Sequence, residues 1–428
     1  MAQQRIAAST FDYNLRVRPV ALVPLAIALA ILTIAPMAYA QTLSVLHTFT
    51  GGGDGGTPFA GLTIDEGGNF YGTTSAGGYG TVFKLSHVGT GWILNTLYKF
   101  QGGNDGGYPY ARVVFGPDGL LYGTTSDYGI SGEYGTVFSL QPPASACRSV
   151  SCPWTKTVLY HFTGAGGDGA SPGYGDLAFD AEGNIYGTTF NGGGDGGNCS
   201  PYNNCGVVFK LTRLGGSWTE SVLWSFSQSG NGGCVPESGV VLDSAGNLYG
   251  TTFFCGADGE GVVYQLTQSG SSWTETVLHT FEGSSDGGFP FGGLLMDQQG
   301  NLYGSTTEGP GGSNGGTVYE LQPSGGSWIY STLTALSGGG GPADAPTMDA
   351  AGNLYFTTAE DGNEGFGNVF KLMPSSGTWI YTDLHDFNAN DGGYDPSGSV
   401  ALDAQGNLYS TTAETSSSRW GEIWKITP

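Results

Sequence analysis

Beyond residue 40 the apolar positions of this chain come in short runs, rich in β-branched and aromatic residues and bounded by Gly, Asp, Asn and Pro. None of the runs keeps a helical period, so the pattern predicts strands and turns. The runs also recur. Asn-Leu-Tyr-Gly-Thr-Thr stands in full at Asn247–Thr252, and close variants begin at Asn69, Leu120, Asn184, Asn301, Asn353 and Asn407. Counted from the Tyr of each copy, from Tyr71 to Tyr409, the spacings are 51, 64, 63, 54, 52 and 54 residues. A recurrence in this range marks a repeat architecture.

One repeat shows the plan. Val240–Asp243 is strand A and Asn247–Thr252 strand B; a Gly- and Asp-rich loop leads to strand C at Gly261–Leu266, and a Ser-Gly-Ser turn to strand D at Trp273–Phe281. The Asp-x-x-Gly-Asn between A and B fits a type I turn with Gly in the left-handed position that closes a hairpin. Asp243, Asp297, Asp349 and Asp403 open these turns and are expected to cap them rather than form a carboxylate site. The Gly inside strand B weakens a strand, which points to close approach of a packed neighbour; Phe356 and Ser410 replace it in the last two repeats.

Seven four-stranded units suit a β-propeller. Strands A, B and C occur seven times, but D follows C only six times. The missing D stands at the other end, as Leu43–Phe49. The expected fold is therefore all-β, a seven-bladed propeller of four-stranded antiparallel blades over residues 41–428. Its ring closes when the N-terminal strand pairs with strand C at Glu422–Ile426, which removes the exposed edges. The combination of Gly-Asn-Leu-Tyr-Gly-Thr-Thr, Gly-Thr-Val-Phe-Lys-Leu and the Asp-Gly-Gly-x-Pro loop resembles the GloVer (Gloeo_Verruco) tandem repeat proteins, over roughly Leu43 to Ile426. That resemblance implies an exported protein and brings no catalytic residues with it. Members often carry C-terminal anchors; no such tail follows the last repeat here, so surface attachment is not expected.

Residues 1–40 have the layout of a secretory signal: Arg5, Arg16 and Arg18, an apolar run from Val20 to Ala35 interrupted by Pro24, and Ala38-Tyr39-Ala40 before Gln41. Export points to a secreted or periplasmic location with no membrane attachment after cleavage. Losing three Arg and one Asp takes the formal net charge from −23 to −25, which argues against nucleic acid as a partner. A monomer is expected. The 78 glycines recur in register between apolar runs, as turns do. Six cysteines in an exported chain imply disulfides. Cys147 and Cys152 share a C–D loop, Cys199 and Cys205 share a B–C loop, and Cys234 (D–A loop) lies on the same face as Cys255 (B–C loop), so each pair is expected to bridge.

The D–A and B–C loops share one face of a meander blade, and that face collects the residues able to carry chemistry. Its D–A loops hold Asp54, Asp105, Asp168, Asp286 and Asp391 beside Phe59, Tyr108, Tyr110, Phe289, Phe291 and Tyr394. Its B–C loops hold Tyr79, Tyr134, Tyr202, Phe254 and Phe366. Aromatic planes beside carboxylates suit a sugar-like or peptide ligand, and the candidate contacts are Tyr108, Tyr110, Tyr202, Phe289, Tyr394, Asp105 and Asp286. The plainer account of the Asp set is a turn that delivers the chain to strand A. As a calcium site these loops offer hard oxygen ligands but no D-x-D-x-D-G spacing, so the sequence leaves calcium open and assigns no metal or cofactor. Four of the five His lie in strand D and cannot converge on an axial site. Three functions stay open: a non-enzymatic propeller binding an extracellular glycan or protein, a structural surface protein, and a carbohydrate hydrolase or lyase using paired carboxylates. N-terminal sequencing of the exported protein should find Gln41 first; an N-terminus still carrying the Val20–Ala35 run would make that segment an anchor.

Overall fold

The structure, a computed structural model, describes residues 41–126, 134–143, 154–194, 205–228, 231–342, 344–388, 393–415 and 420–427. They form a seven-bladed propeller of four-stranded antiparallel sheets, as the strand count requires. Blade 4 runs Val241–Leu242, Leu248–Thr252, Val262–Ser269 and Ser272–Thr280, and the other blades repeat that order. In blade 7 the outer strand is Thr42–Thr48, paired antiparallel with Glu422–Thr427 from Thr42↔Thr427 to Thr48↔Glu422. Strand A is shorter than its apolar run suggests. Only Val241 and Leu242 join the ladder in blade 4, because Asp243 leaves it to cap the turn.

Each position of the repeated motif has a mechanical task. In the A–B turn, Asp243 Oδ1 accepts from the backbone N–H of Ala245 and Asn247, both at 2.9 Å, and Oδ2 accepts from Asn247 Nδ2 at 2.7 Å and from the Tyr249 hydroxyl at 3.0 Å. Partial burial pushes the Asp243 carboxyl up, but the Asn247 and Tyr249 donors outweigh it and hold it below the usual carboxylate range. The same Asp–Tyr bond recurs in all seven blades, at Asp65, Asp118, Asp180, Asp297, Asp349 and Asp403 besides Asp243. Gly246 sits at φ 83°, the left-handed position that the turn demands. The Tyr thus ties strand B to a turn six residues back, or four in blade 2, a role that its aromatic character alone does not announce.

The strand-B Gly makes room for strand C. A Cβ on Gly250 would lie 2.4 Å from the Tyr264 hydroxyl and 2.7 Å from its Cζ. Gly72, Gly123, Gly187 and Gly304 face Phe83, Phe138, Phe209 and Tyr319 in the same way. Where the Gly is replaced the contact is rebuilt. Phe356 stacks on Phe370 with centroids 5.1 Å apart, and Ser410 turns its hydroxyl to the carbonyls of Gly398 and Ser399.

Two devices stitch each blade to the next. The first Thr or Ser after the motif's Gly donates across the junction at distances from 2.7 to 3.3 Å: Thr73 to Ala111 O, Thr188 to Ser238 O, Thr251 to Gly292 O, Ser305 to Pro342 O, Thr357 to Gly398 O and Thr411 to Ala60 O. Among the described residues Thr124 has no such partner, and its junction, between blades 2 and 3, carries the Arg112–Asp176 ion pair. The second device is a pivot in the D–A loop. Thr57, Tyr108, Ser171, Val235, Phe289 and Asp395 have φ between 53° and 60°, and each precedes a proline. Their N–H groups donate to the residue entering strand C of one blade and their carbonyls accept from the residue leaving strand B of the next, as in Tyr108 N–H to Tyr79 O at 2.8 Å and Ser126 N–H to Tyr108 O at 3.2 Å.

Between the blades lie seven apolar clusters, one per junction. The one between blades 3 and 4 joins Tyr186 and Val208 to Leu248, Val262, Tyr264 and Leu266, and the one closing the ring joins Tyr409 and Ile423 to Phe70, Phe83 and Leu85. Strand C is covered on both sides, which is why Val262, Val263 and Tyr264 in succession are buried. Each fully buried side chain of this size contributes about 1.5–3 kcal/mol. Gly250→Ala should cost about 1–3 kcal/mol, because the Tyr264 ring must move in a close-packed wedge. Urea unfolding with stability equal to wild type would show that strand C has slack that the geometry denies.

Candidate axial binding site

The pivot proline fixes where the chain goes next. One residue beyond it, the side chains of Phe59, Tyr110, Glu237 and Phe291 reach the channel axis and line a central cavity of about 550 Å³. In blade 3 an extra residue, Gly173, follows Pro172, so Tyr174 takes that place. The cavity runs down among the inner strands past Val114, Ala178 and Val241. A second cavity of about 230 Å³ adjoins it, lined by Tyr110, Tyr174, Phe190, Glu237 and Phe291.

The rings form a continuous arc. Centroid separations are 5.6 Å for Phe59–Tyr110, 5.1 Å for Tyr110–Tyr174 and 5.1 Å for Tyr174–Phe291, all tilted. Phe291 continues through Phe253 to Phe289, at 5.9 and 5.2 Å. Tyr174 is 40% exposed, so aromatic surface faces solvent at the mouth.

Polar groups interrupt the arc. Arg112 donates from Nε to Asp176 Oδ2 at 2.7 Å, and its backbone N–H reaches Oδ1 at 3.1 Å. Asp344 accepts from the backbone N–H groups of Ala345 and Ser399, both at 2.7 Å. Burial and then the charge of Asp176 push the Asp344 carboxyl above the usual range, against the pull of Arg112. Burial also raises Asp395, with Glu414 and Glu360 adding repulsion against a hydrogen bond from Ser397. Glu237 is 6% exposed and, among the described residues, makes no hydrogen bond or ion pair. Burial alone pushes its carboxyl up to about 8.

Of the contacts expected from sequence, Tyr110 lies in the mouth. Tyr108 and Phe289 are pivot residues outside the cavity lining: Tyr108 packs edge-on against Tyr79 at 5.8 Å, and Phe289 against Phe253. Tyr394 stacks on Phe366 at 4.4 Å. Asp105 accepts from Gln101 N–H at 2.8 Å and the Tyr98 hydroxyl at 2.7 Å, and Lys156 pairs with it. Asp286 accepts from Glu282 N–H at 2.9 Å and bonds His279 at 2.8 Å. These carboxylates therefore fasten their own loops. Tyr202 lies outside the described residues. Phe59 and Phe291 were visible as loop aromatics, but Arg112, Tyr174, Asp176, Glu237 and Asp344 escape sequence reasoning. Counting from the proline of each repeat is the signal that gathers most of them.

Cys234 and Cys255 form the expected bridge, with Cα atoms 5.4 Å apart, where Gly233–Cys234 pairs with Phe254–Cys255. This two-stranded rim joins a D–A loop to a B–C loop, and Gly169–Ala170 with Asn191–Gly192 forms the same rim in blade 3. Cys205 is disulfide-bonded; Cys199, Cys147 and Cys152 lie outside the described residues. Among the described residues no group of three or more His, Cys, Asp or Glu side chains is placed to hold a metal, and no helix is long and apolar enough to cross a membrane.

The protonated Glu237 has a consequence for stability. The unfolded chain releases this proton near pH 4.5 and the folded chain holds it to about pH 8. Stability therefore falls as pH rises across that window, by at most about 1.4 kcal/mol per pH unit from this group. Urea midpoints between pH 5 and 8 should decline less steeply for Glu237→Gln than for wild type; parallel profiles would mean that the carboxyl is solvated.

Solved structures share the architecture. The extracellular domain of a proposed one-component system from B. thetaiotaomicron superposes with a TM-score of 0.54 at 12% identity, over 90% of this chain and 40% of that one. PorZ, a bacterial surface component of the type-IX secretion system of Porphyromonas gingivalis, gives 0.50 at 14% identity, over 89% of this chain and 47% of that one. The chain thus spans less than half the length of either. No curated protein matches the sequence. The model of the Gloeobacter/Verrucomicrobia repeat matches residues 32–200 and 195–424. With nearly every blade inside those two matches, the chain belongs to the Gloeobacter/Verrucomicrobia repeat family.

Proposed function

We propose that this protein is an exported, non-enzymatic propeller that binds an extracellular glycan at its axial mouth. The observation that carries the reading is the arc of Phe59, Tyr110, Tyr174 and Phe291 around one cavity of about 550 Å³. A uniformly polar, flat face would instead have suited a structural protein. Cavities of this size take small ligands or single residues of a polymer, whereas a stable protein partner needs about 800 Å² of surface on each side. Sugar rings present apolar C–H faces to aromatic planes and hydroxyls to groups such as Arg112 and the nearby carboxyls. Loops held on a rigid scaffold are where recognition usually sits.

Export is supported by the signal-like residues 1–40 and by the Cys234–Cys255 bridge, which suits an oxidising compartment. The extracellular domain and the surface component that share the fold agree with it. Tyr108, Phe289 and Tyr394 form the outer contact set in this reading, reached by longer glycans. Asp105 and Asp286 hold the loops that present them.

A glycan array probed with the purified protein should identify a ligand. Tyr110→Ala, Tyr174→Ala and Phe291→Ala should each then weaken it about threefold to tenfold, the equivalent of 0.5–1.5 kcal/mol per aromatic contact. Ser244→Ala in an A–B turn should leave affinity unchanged. Affinity that survives the three aromatic substitutions but falls with the turn substitution would place recognition on the opposite face.

A further inference from the structure

Six repeats send the residue one position past the pivot proline, or its register equivalent Tyr174, to the same ring around the axis. Four of these residues are aromatic, and the other two are Ser397 and Glu237, of which Glu237 alone carries a carboxyl. Glu237 lines both the 550 Å³ cavity and the adjoining 230 Å³ cavity. It is 6% exposed and has no protein partner among the described residues. A buried carboxyl without a partner is costly to fold around, which points to a ligand group that meets it.

The charge around the cavity says which group. The lining carries Asp176, Glu237, Asp344 and Asp395 against Arg112. Arg112 is engaged by Asp176 through its side chain and its backbone N–H, so it does not neutralise Glu237. An anionic or neutral ligand would leave Glu237 in its protonated form. A cation would favour the ionised form, and the faces of Tyr110, Tyr174 and Phe291 attract cations through their ring quadrupoles.

Resting on the glycan reading above, we propose that the mouth selects a glycan bearing free amines, a deacetylated amino-sugar polymer, with the ammonium group seated against Glu237 inside the aromatic arc. Once the ammonium is in place, the Glu237 carboxyl gives up its proton to solvent and the two groups form an ion pair. The other ionisable groups lining the same cavity are Tyr110, Arg112, Tyr174, Asp176, Asp344 and Asp395.

The test is calorimetric titration of the intact exported protein at pH 6.5 with tetramers of glucosamine, N-acetylglucosamine and glucose. The glucosamine tetramer should bind at least tenfold more tightly than the other two, and its heat should vary with the ionisation enthalpy of the buffer in the sense of proton release. In Glu237→Gln the preference should fall to under threefold with the melting temperature retained; the wild-type buffer dependence stands as an independent readout if that variant folds poorly. Equal binding of the acetylated or neutral tetramer, or a preference that survives Glu237→Gln, overturns the amine assignment and leaves the glycan reading intact. Binding of none of the tetramers or of any arrayed glycan overturns both. Tight binding of a lysine-rich peptide alone places the ammonium on a protein and overturns the amino-sugar source.

Discussion

The junctions of the ring depend on one awkward backbone geometry. A residue with a side chain is held in the left-handed region directly before a proline, where both its own Cβ and the proline ring oppose it. Such a conformation costs on the order of 1–3 kcal/mol. It persists because the peptide groups around the residue are spoken for on both sides, by the blade behind and the blade ahead. The pivot is therefore the point at which six of the seven junctions are locked, among the described residues. The side chain carried there is nearly immaterial: Thr57, Tyr108, Ser171, Val235, Phe289 and Asp395 have little in common except their φ.

The same geometry makes the axial site. The pivot turns the chain inward, the proline fixes its direction, and the next residue has nowhere to go but the axis. Strand A then descends along the channel with only two residues in the ladder, so its entrance stays close to the neighbouring blade. Gly239 approaches Asp176 there, and Gly398 approaches Ala60. A ring of mouth residues is thus a by-product of the way the blades are joined, and a change of side chain at that position alters the mouth without touching the wedges that hold the ring together.

That separation explains what the sequence discloses. Asp243, Gly246, Tyr249 and Gly250 act within one blade, so their spacing is visible in every copy, and the absent seventh strand D announces closure by simple counting. The mouth has no such local signature. Phe59, Tyr110, Tyr174, Glu237 and Phe291 come from five repeats and meet only after the ring has formed, and Gly173 shifts one of them out of register. Tyr108 and Tyr110 stand two positions apart in one loop and look equally exposed on paper. The proline between them sends one to the junction and the other to the axis. Glu237 is a single acidic residue in an acidic chain, and only its alignment with aromatic counterparts sets it apart.

The pairing of Thr42 with Thr427 joins residues from opposite ends of the chain. Local hairpins within a blade can form as soon as their strands exist, but this contact closes the longest loop available, and contacts of large sequence separation are slow to form. While the chain is being synthesised, strand Thr42–Thr48 emerges before the other described strands of the ring and is the last to find its partner. Through all of that time it is a strand without a sheet, and Glu422–Thr427 will be an edge until the two meet. A second copy could offer the same pairing in the interval. Ring closure is therefore the slow step expected of this fold, however stable the finished wedges are.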